Sequence, residues 1–246
     1  MLYGEQRALF DLSFAIPSEC AARMADGRAD IGIVPSIELS RQNLTVIPGA
    51  GIACRGAVRS ILLVSKVPFS AIQRLAADSS SRTSVMLSRV ILARKFDAHP
   101  EVFAHAPDLA GMLQAADAAL IIGDPALLID PASIPFHTLD LGAEWLDLTG
   151  LPMVFAVWAA RAGFPAQDPA PFTDSLRFGL AHLDDILRME QPRLGISPAL
   201  AHDYLTRHIV NVLGPREYDG LALFLQYAQQ LQQQSQSRIL TVYRGS

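Results

Sequence analysis

The sequence lacks the long apolar runs and the basic clusters that mark membrane-spanning or nucleic-acid-binding proteins. Half of its 246 residues are hydrophobic and the mean hydropathy is +0.25, yet no stretch reaches the roughly 18 apolar residues of a membrane-spanning helix. The longest apolar runs, Ile61–Val64 and Met153–Ala160, have the length of strands. Because no run is long enough to span a bilayer, we expect no membrane as a partner. Because the net charge is −4 and no basic run exists, we expect no nucleic acid either.

Cysteine is scarce, and the N-terminus does not have the pattern of a secretory signal. Cys20 and Cys54 show neither CxxC spacing nor a His at ligand spacing, so we interpret them as small buried hydrophobes and expect no metal site. The opening residues, MLYGEQRALFDL, have no cationic region followed by an apolar core. Together these absences predict a cytoplasmic protein.

Recognisable catalytic motifs are also missing. The sequence contains no HExxH, GxSxG, P-loop or GxGxxG pattern, and its His residues share no ligand spacing. His202 and His208 lie on one predicted helix but face different sides of it. The pair Asp184–Asp185 is typical of a solvated helix face. What remains is hydroxyl groups and helix ends, which suit the binding of a small anion or a reaction that needs little acid–base help.

The most informative stretch runs from Asp78 to Ala93, DSSSRTSVMLSRVILA. Its small hydroxyl residues give way to apolar residues at helical spacing, which predicts a helix capped by Ser or Thr. A helix N-terminus presents unpaired N–H groups and the positive end of the backbone dipole. The hydroxyls that would add donors there are those of Ser80, Ser81, Thr83 and Ser84. The stretch therefore predicts a carboxylate or phosphate site, and an ordinary capped helix without a ligand remains the alternative.

The alternation of short apolar strands with helices as far as residue 160 predicts an α/β fold with mostly parallel sheets. Ligands bind outside the carboxyl ends of strands in such folds. We expect three further helices beyond this region, over Phe172–Arg188, Pro198–Leu213 and Glu217–Leu231.

Four residues next to predicted strands are candidates for the site. Pro35 and Ser36 directly follow a short β-branched strand, at the end where ligands bind. Ser60 lies just inside the strongest predicted strand, and its alternative role is a hydroxyl satisfied by a neighbouring backbone group. Asp124 follows a buried strand, where it either caps the next turn or touches a ligand.

Two strong predicted strands, Val58–Lys66 and Leu151–Ala160, bracket a middle segment of about the size of a small lobe. We therefore predict two lobes, one formed by residues 1–62 and 156–246 and the other by residues 63–155. Ligand sites concentrate in the cleft between such lobes. The predicted helix start would face the cleft from one lobe and the early strand end from the other.

Six stretches, in this order along the chain, carry a resemblance to a known family. They are ADIGIVPSIELSRQ (Ala29–Gln42), GAVRSILLVSKVP (Gly56–Pro68), DSSSRTSVMLSRVIL (Asp78–Leu92), AALIIGDPAL (Ala118–Leu127), DLGAEWLDLTGLPMVFAVWAAR (Asp140–Arg161) and HIVNVLGPREYDGLALF (His208–Phe224). The sequence resembles the menaquinone-biosynthesis family of MqnA/MqnD-type proteins, and the GAVRS and DSSSRTS patterns resemble its chorismate dehydratase branch.

The resemblance implies a type 2 periplasmic-binding-protein fold, with two lobes and a cleft, that works as an enzyme. It implies a hydro-lyase that converts chorismate to 3-[(1-carboxyvinyl)oxy]benzoate in the futalosine route to menaquinone, and it implies no cofactor and no metal. Carried over by motif, the predicted catalytic residues are Ser60 and Ser84. The predicted substrate-binding residues are Pro35, Ser36, Arg59, Ser81, Thr83 and Asp124.

The resemblance has one departure and leaves two alternatives open. Family members usually begin with a strand and a Y/F-L-N-x-x-P-like motif whose Asn contributes to the site, and we expect this strand to be missing here. One alternative is an enzyme like 1,4-dihydroxy-6-naphthoate synthase, which belongs to the same pathway. The other is a non-catalytic protein that binds a small anion.

Overall fold

Two β-sheets organise the computed structural model, which describes residues 1–78, 80–165, 167–193 and 195–244, with side chains through residue 234. The described strands are β1 (Ile31–Pro35), β2 (Leu44–Cys54), β3 (Ile61–Ser65), β4 (Arg74–Ala77), β5 (Glu101–Ala104), β6 (Ala118–Ile122), β7 (His137–Asp140), β8 (Met153–Arg161) and β9 (Val210–Val212). The described α-helices are α1 (Pro17–Ala25), α2 (Arg82–Phe96), α3 (Leu109–Ala115), α4 (Asp124–Leu127), α5 (Leu141–Thr149), α6 (Ala170–Ala181), α7 (Leu183–Glu190), α8 (Pro198–Asp203) and α9 (Pro215–Arg244).

The first sheet has the strand order β1-β8-β2-β9, and all its described pairings are antiparallel. The second sheet has the order β5-β4-β6-β3-β7. In it β4 runs parallel to β5 and β6, whereas β3 runs antiparallel to β6 and β7.

The expectation of mostly parallel sheets is therefore wrong. Parallel neighbours need a long crossover, and the two helices α2 and α3 supply crossovers only between β4, β5 and β6. Strand β8 returns to the first sheet and inserts between β1 and β2, so both pair with it in the antiparallel sense. The alternation of strands and helices along the chain does not reveal this insertion.

The chain passes from the first sheet to the second between Cys54 and Ile61, and it returns before Met153. The predicted lobe boundaries at 62/63 and 155/156 fall inside β3 and β8. The division into two lobes stays a prediction, and the sheets suggest boundaries a few residues away from those predicted.

Buried side chains of both sheets form one continuous cluster. It contains Cys54 and Phe155 of the first sheet together with Leu63 and Leu120 of the second. Because apolar burial is the main favourable term in folding, this shared cluster holds the two sheets together. No helix within the described ranges combines the length and the apolar character that crossing a membrane requires.

Helix α9 lies directly against the start of β8. A Cβ atom on Gly220 would lie 2.0 Å from the carbonyl oxygen of Pro152, so only glycine allows this approach. The indole Nε1 of Trp145 donates to the same carbonyl at 3.1 Å, and its ring packs edge-on against Phe224. These contacts anchor α5 and α9 to the first sheet.

The predicted C-terminal helices differ from the observed ones. The helix predicted over Phe172–Arg188 is two helices that meet at His182. The helix predicted over Pro198–Leu213 consists of α8, a π-helical turn at Tyr204–His208 and the strand β9. The apolar residues of β9 pair with β2, and this tertiary pairing overrides their local helical spacing.

Candidate functional site

The N-terminus of α2 carries the hydroxyl cluster expected from the sequence. Ser81 is the N-cap, and its Oγ accepts from the backbone N–H of Ser84 at 3.4 Å. The Ser81 and Ser84 hydroxyls also lie 2.9 Å apart, within hydrogen-bond distance. The first turn of α2 contains no acidic residue. Asp78, just before it, accepts from the N–H of Ser80. The N-cap of α2 itself is thus a neutral hydroxyl, and the Asp78 carboxylate lies three residues before it.

The segment after β1 contacts this helix start. This segment is the 3-10 helix Ser36–Ser40, and the N–H of Ile37 in it donates to Thr83 Oγ1 at 3.3 Å. The Thr83 side chain is fully buried. The segment after β1 of the first sheet and the start of α2 therefore contact each other directly, and their role as the two sides of a ligand site stays a prediction.

A buried carboxylate reinforces the same contact. Glu38 is 1% exposed, and its Oε1 accepts from Arg82 at 3.0 Å and lies 3.5 Å from Arg41. Its Oε2 accepts from the amide of Gln42 at 2.9 Å. Both oxygens are occupied by cations or donors, so Glu38 ties the two segments together rather than acting as a free base.

A second cluster surrounds the start of β3. The backbone N–H groups of Val58 and Arg59 donate to the carboxylate of Asp140 at 2.9 and 2.6 Å. Arg59 has φ +65°, a left-handed conformation that is uncommon for residues other than glycine and that clusters at functional sites. The carbonyl of Ser60 accepts from the N–H of Gly123 at 2.8 Å. This turn is held by contacts on both sides.

Tyr204 completes the second cluster, and sequence reasoning missed it. Its phenol oxygen lies 2.9 Å from Ser60 Oγ. Burial raises the pKa of Tyr204; the hydrogen bond with Ser60 lowers it, and the carboxylates of Asp124 and Asp140 raise it further, so the net shift is upward. The phenol is therefore protonated at neutral pH. No local pattern could have found it, because Tyr204 lies within what looks like a continuous helix.

Asp124 is exposed and is the first residue of α4, where Gly123 is the N-cap and no side chain caps the helix. The capping alternative for Asp124 is therefore wrong. A Cβ atom on Gly195 would lie 3.6 Å from Asp124 Oδ2, so the loop at Gly195 passes close to this carboxylate.

The two clusters lie at the same end of the second sheet. Ala77 pairs with Leu120, which places the end of β4 beside the end of β6. Ile61 pairs with Ile122, which places the start of β3 there as well. Strands β4 and β3 flank β6, so two strand spacings, roughly 10 Å, separate them. We call this the site end of the second sheet.

The eight predicted residues thus fall into two groups at the site end. Five lie around the start of α2 and the end of β1, and three lie around the start of β3. The first group is Pro35, Ser36, Ser81, Thr83 and Ser84, and the second is Arg59, Ser60 and Asp124. Ser36 is fully buried, and its hydroxyl donates to Val154 O at 2.8 Å, so its described contact is with the first sheet. Ser60 bonds to a side chain, not to the backbone group that the alternative reading expected.

Two cavities in the structure lie away from these residues. One of about 650 Å³ lies between α2 and α9 and includes Arg94 and Gln230 in its lining. The other, of about 330 Å³, includes Met24 and Gln42. Neither is lined by any of the eight predicted residues. The site end is identified by its convergent polar groups, and among the described residues no group of three or more His, Cys, Asp or Glu is placed to hold a metal ion.

Comparison with known proteins connects the chain to one family. A family described as menaquinone biosynthesis matches residues 2–230. Over 219 residues the chain is 31% identical to the chorismate dehydratase of Thermus thermophilus, and the match covers 80% of this chain and 79% of that protein.

Solved structures with low sequence identity share the fold. Protein AF1704 from Archaeoglobus fulgidus has a TM-score of 0.68 at 16% identity and covers 89% of this chain and 84% of its own. The periplasmic aliphatic sulphonate binding protein SsuA from Escherichia coli has a TM-score of 0.59 at 16% identity, covering 90% and 80%. The α/β fold with mixed sheets is therefore like that of periplasmic binding proteins.

Proposed function

Because the chain belongs to the menaquinone biosynthesis family, we propose that it is a chorismate dehydratase, a hydro-lyase that forms 3-[(1-carboxyvinyl)oxy]benzoate. The observation that carries this proposal is the 31% identity to the Thermus thermophilus chorismate dehydratase over 80% of the chain. Members of a family can differ in substrate, so the reaction and its product go one step beyond family membership.

The polar groups of the site end suit a dicarboxylate such as chorismate. The start of α2 offers backbone N–H groups and the hydroxyls of Ser81 and Ser84, with no acidic residue in its first turn. The start of β3 offers Ser60 and Arg59, roughly 10 Å away across β6. Two such donor groups at opposite ends of one site can each hold a carboxylate of the substrate.

The proposed reaction is an elimination that completes an aromatic ring. The hydrogen on the ring carbon that bears the ether leaves as a proton, and its electron pair forms the new ring double bond. The substrate carboxylate that accepts this proton passes it to the adjacent hydroxyl, which leaves as water. Aromatisation supplies the driving force, so we assign the protein the tasks of positioning the substrate and stabilising charge on the departing oxygen.

The substrate's own carboxylate is the proton acceptor in this proposal. Both oxygens of the buried Glu38 already accept hydrogen bonds from protein side chains, so we do not assign Glu38 the role of the base. Ser60 and Ser84 act as hydrogen-bond donors to the departing hydroxyl and the carboxylate. If a protein base is needed instead, the candidate is Asp124, an exposed carboxylate whose charge acts on Tyr204, and Asp124→Asn would abolish turnover.

The test is incubation of the purified protein with chorismate, followed by mass detection of a product lighter by one water. We expect turnover by the natural chain and a loss of about 100-fold in kcat for Ser84→Ala. The matched control is Ser88→Ala, one turn further along α2, whose buried hydroxyl donates to Val85 O at 2.8 Å. Equal activities of these two variants would contradict the assigned role of Ser84.

A non-catalytic role in binding a small anion is the second candidate, and the fold shared with the sulphonate-binding SsuA favours it. Chorismate that raises the unfolding temperature but is recovered unchanged would support this role and contradict the dehydratase. A third arm with cyclic dehypoxanthine futalosine tests the sister activity, because only a 1,4-dihydroxy-6-naphthoate synthase would consume it.

A further inference from the structure

The hydroxyls of Ser60 and Tyr204 form a pair that joins the two sheets at the site end. Their oxygens lie 2.9 Å apart, although the residues are 144 positions apart in the chain. Ser60 precedes β3 of the second sheet, and Tyr204 begins the π-helical turn Tyr204–His208 that leads to β9 of the first sheet. Such turns are rare and occur frequently at functional sites.

The backbone of Ser60 has little freedom to move. Its carbonyl accepts from Gly123 N at 2.8 Å, and the two residues before it donate their N–H groups to Asp140. Ser60 is only 5% exposed, so its hydroxyl has little access to water molecules as alternative partners. The remaining freedom of Ser60 is the rotation of its side chain and of its O–H bond, and Tyr204 is the neighbour that restricts both.

Chemistry favours Tyr204 as the donor of this hydrogen bond. A phenol is a stronger acid than an aliphatic alcohol, and the alcohol oxygen is the better acceptor. Burial, with a smaller contribution from the carboxylates of Asp124 and Asp140, raises the pKa of Tyr204, so the phenol carries its proton. When Ser60 Oγ accepts from Tyr204, its own proton is free to be donated to a third group.

We propose that Tyr204 is a positioning residue, whose phenol holds Ser60 so that the Ser60 O–H points at the bound substrate. This inference rests on the proposed dehydratase function and adds to it a residue from the opposite sheet. The turn that carries Tyr204 is also held at its other end, because His208 Nδ1 lies 2.9 Å from the carbonyl oxygen of Ala57. Substrate turnover then requires the turn before β9 to lie against the start of β3.

The test is a double-mutant cycle on chorismate turnover with Tyr204→Phe, Ser60→Ala and the double variant. Loss of one orienting hydrogen bond should lower kcat of Tyr204→Phe about tenfold and leave KM within about twofold. Ser60→Ala should lower kcat about 100-fold, and kcat of the double variant should be no lower than that of Ser60→Ala. The control is Tyr218→Phe, which removes a phenol that accepts from Gly49 N at 3.0 Å in the first sheet.

Each outcome decides one question. If Tyr204→Phe lowers kcat equally in the natural and Ser60→Ala backgrounds, Tyr204 acts independently of Ser60 and the inference is wrong. If Tyr204→Phe and Tyr218→Phe are both as active as the natural chain, it is also wrong. Comparison of the two backgrounds cancels any general loss of stability, which the unfolding temperature of each variant reports. A natural chain that does not convert chorismate would instead overturn the proposed function, and this inference with it.

Discussion

Helices α2 and α5 both begin at the site end of the second sheet, but their first turns are capped by different chemistry. At α5, the carboxylate of Asp140 accepts from Gly142 and Ala143 of its own helix at 3.0 and 3.1 Å. It also accepts from the N–H groups of two residues before β3. At α2, the neutral hydroxyl of Ser81 accepts from Ser84, and the first turn holds no acidic residue.

The difference decides which terminus can receive a ligand. At α5 the Asp140 carboxylate already accepts from the N–H groups of the first turn, so it would repel a substrate carboxylate there. At α9 the first turn is closed in the same manner, because Glu217 accepts from Gly214 N at 3.0 Å and from Arg55 at 2.8 Å. At α2 the hydroxyls satisfy one another without adding charge, which leaves the positive end of the dipole for an anion. The α5 end serves stability and the α2 end suits binding.

The largest effect is expected when the negative charge at the start of α5 is removed. Asp140→Asn should lower the free energy of unfolding by about 3 kcal/mol, because several N–H groups lose a charged acceptor and one amide nitrogen faces donors. Urea denaturation measures the change. The control is Asp108→Asn at α3, because the Asp108 side chain accepts from Gly111 N–H at 3.0 Å. The free energy of unfolding of this variant should change by under about 0.5 kcal/mol, since Asn caps a helix as well as Asp does. Similar losses at both positions would contradict the special role of Asp140.

The next largest effect is expected when the start of α2 is given a carboxylate like that of α5. Ser81→Asp keeps a good helix cap but places a carboxylate where we expect the substrate's carboxylate. We expect KM for chorismate to rise about 30-fold, equivalent to ~2 kcal/mol, with an unchanged unfolding temperature. The neutral Ser81→Asn has nearly the same shape and should keep a KM close to that of the natural chain. A normal KM for Ser81→Asp would show that no anion binds at this terminus.

A smaller effect is expected where α2 contacts the segment after β1. Thr83→Val preserves the shape of the side chain but leaves the Ile37 N–H without its acceptor, which lies at 3.3 Å. The free energy of unfolding should fall by about 1–2 kcal/mol. Thr45→Val, on an exposed position of β2, should stay within about 0.5 kcal/mol. If both variants are equally stable, the Thr83 contact contributes nothing measurable.

The smallest effect concerns the closed terminus of α9 and depends on pH. Burial alone would raise the pKa of Glu217, but the hydrogen bonds from Arg55 and Gly214 hold it below its ordinary value of 4.5. A carboxyl whose pKa is lower in the folded than in the unfolded state stabilises the fold at pH values above the unfolded-state pKa. This contribution is lost as the pH falls through the folded-state pKa. The free energy of unfolding of the natural chain should therefore exceed that of Glu217→Gln by about 1 kcal/mol at pH 7 and by less below about pH 4.

Unfolding measured at both pH values checks this prediction. The control is Asp174→Asn, which removes an exposed ion pair with Arg177 and should have little effect at either pH. A difference between the natural chain and Glu217→Gln that is the same at about pH 7 and about pH 3.5 would show that the charge of Glu217 is not what stabilises the α9 terminus.

Much of the site was predictable because local chemistry decides it. A hydroxyl run followed by apolar helical spacing predicted the start of α2, and the structure places the N-cap at Ser81. The apolar runs predicted β3 and β6, whose residues are all buried. The Asp140 cap was missed, although an Asp directly before a helical pattern is the signal that would have found it.

Other features depended on segments that meet only in the folded chain. Strand β8 inserts between β1 and β2 and sets their antiparallel direction, which no local periodicity records. The apolar spacing of Pro198–Leu213 predicts one helix, but its last residues form β9 because they pair with β2.

Local sequence was enough to predict the start of α2 with its hydroxyl chemistry, the buried strands β3 and β6 and the family resemblance, since capping and periodicity act within a few residues. Only the tertiary structure decided strand direction, the closed terminus at α5 and the meeting of Ser60 with Tyr204. These depend on which distant surfaces are buried together, and burial is a property of the whole chain.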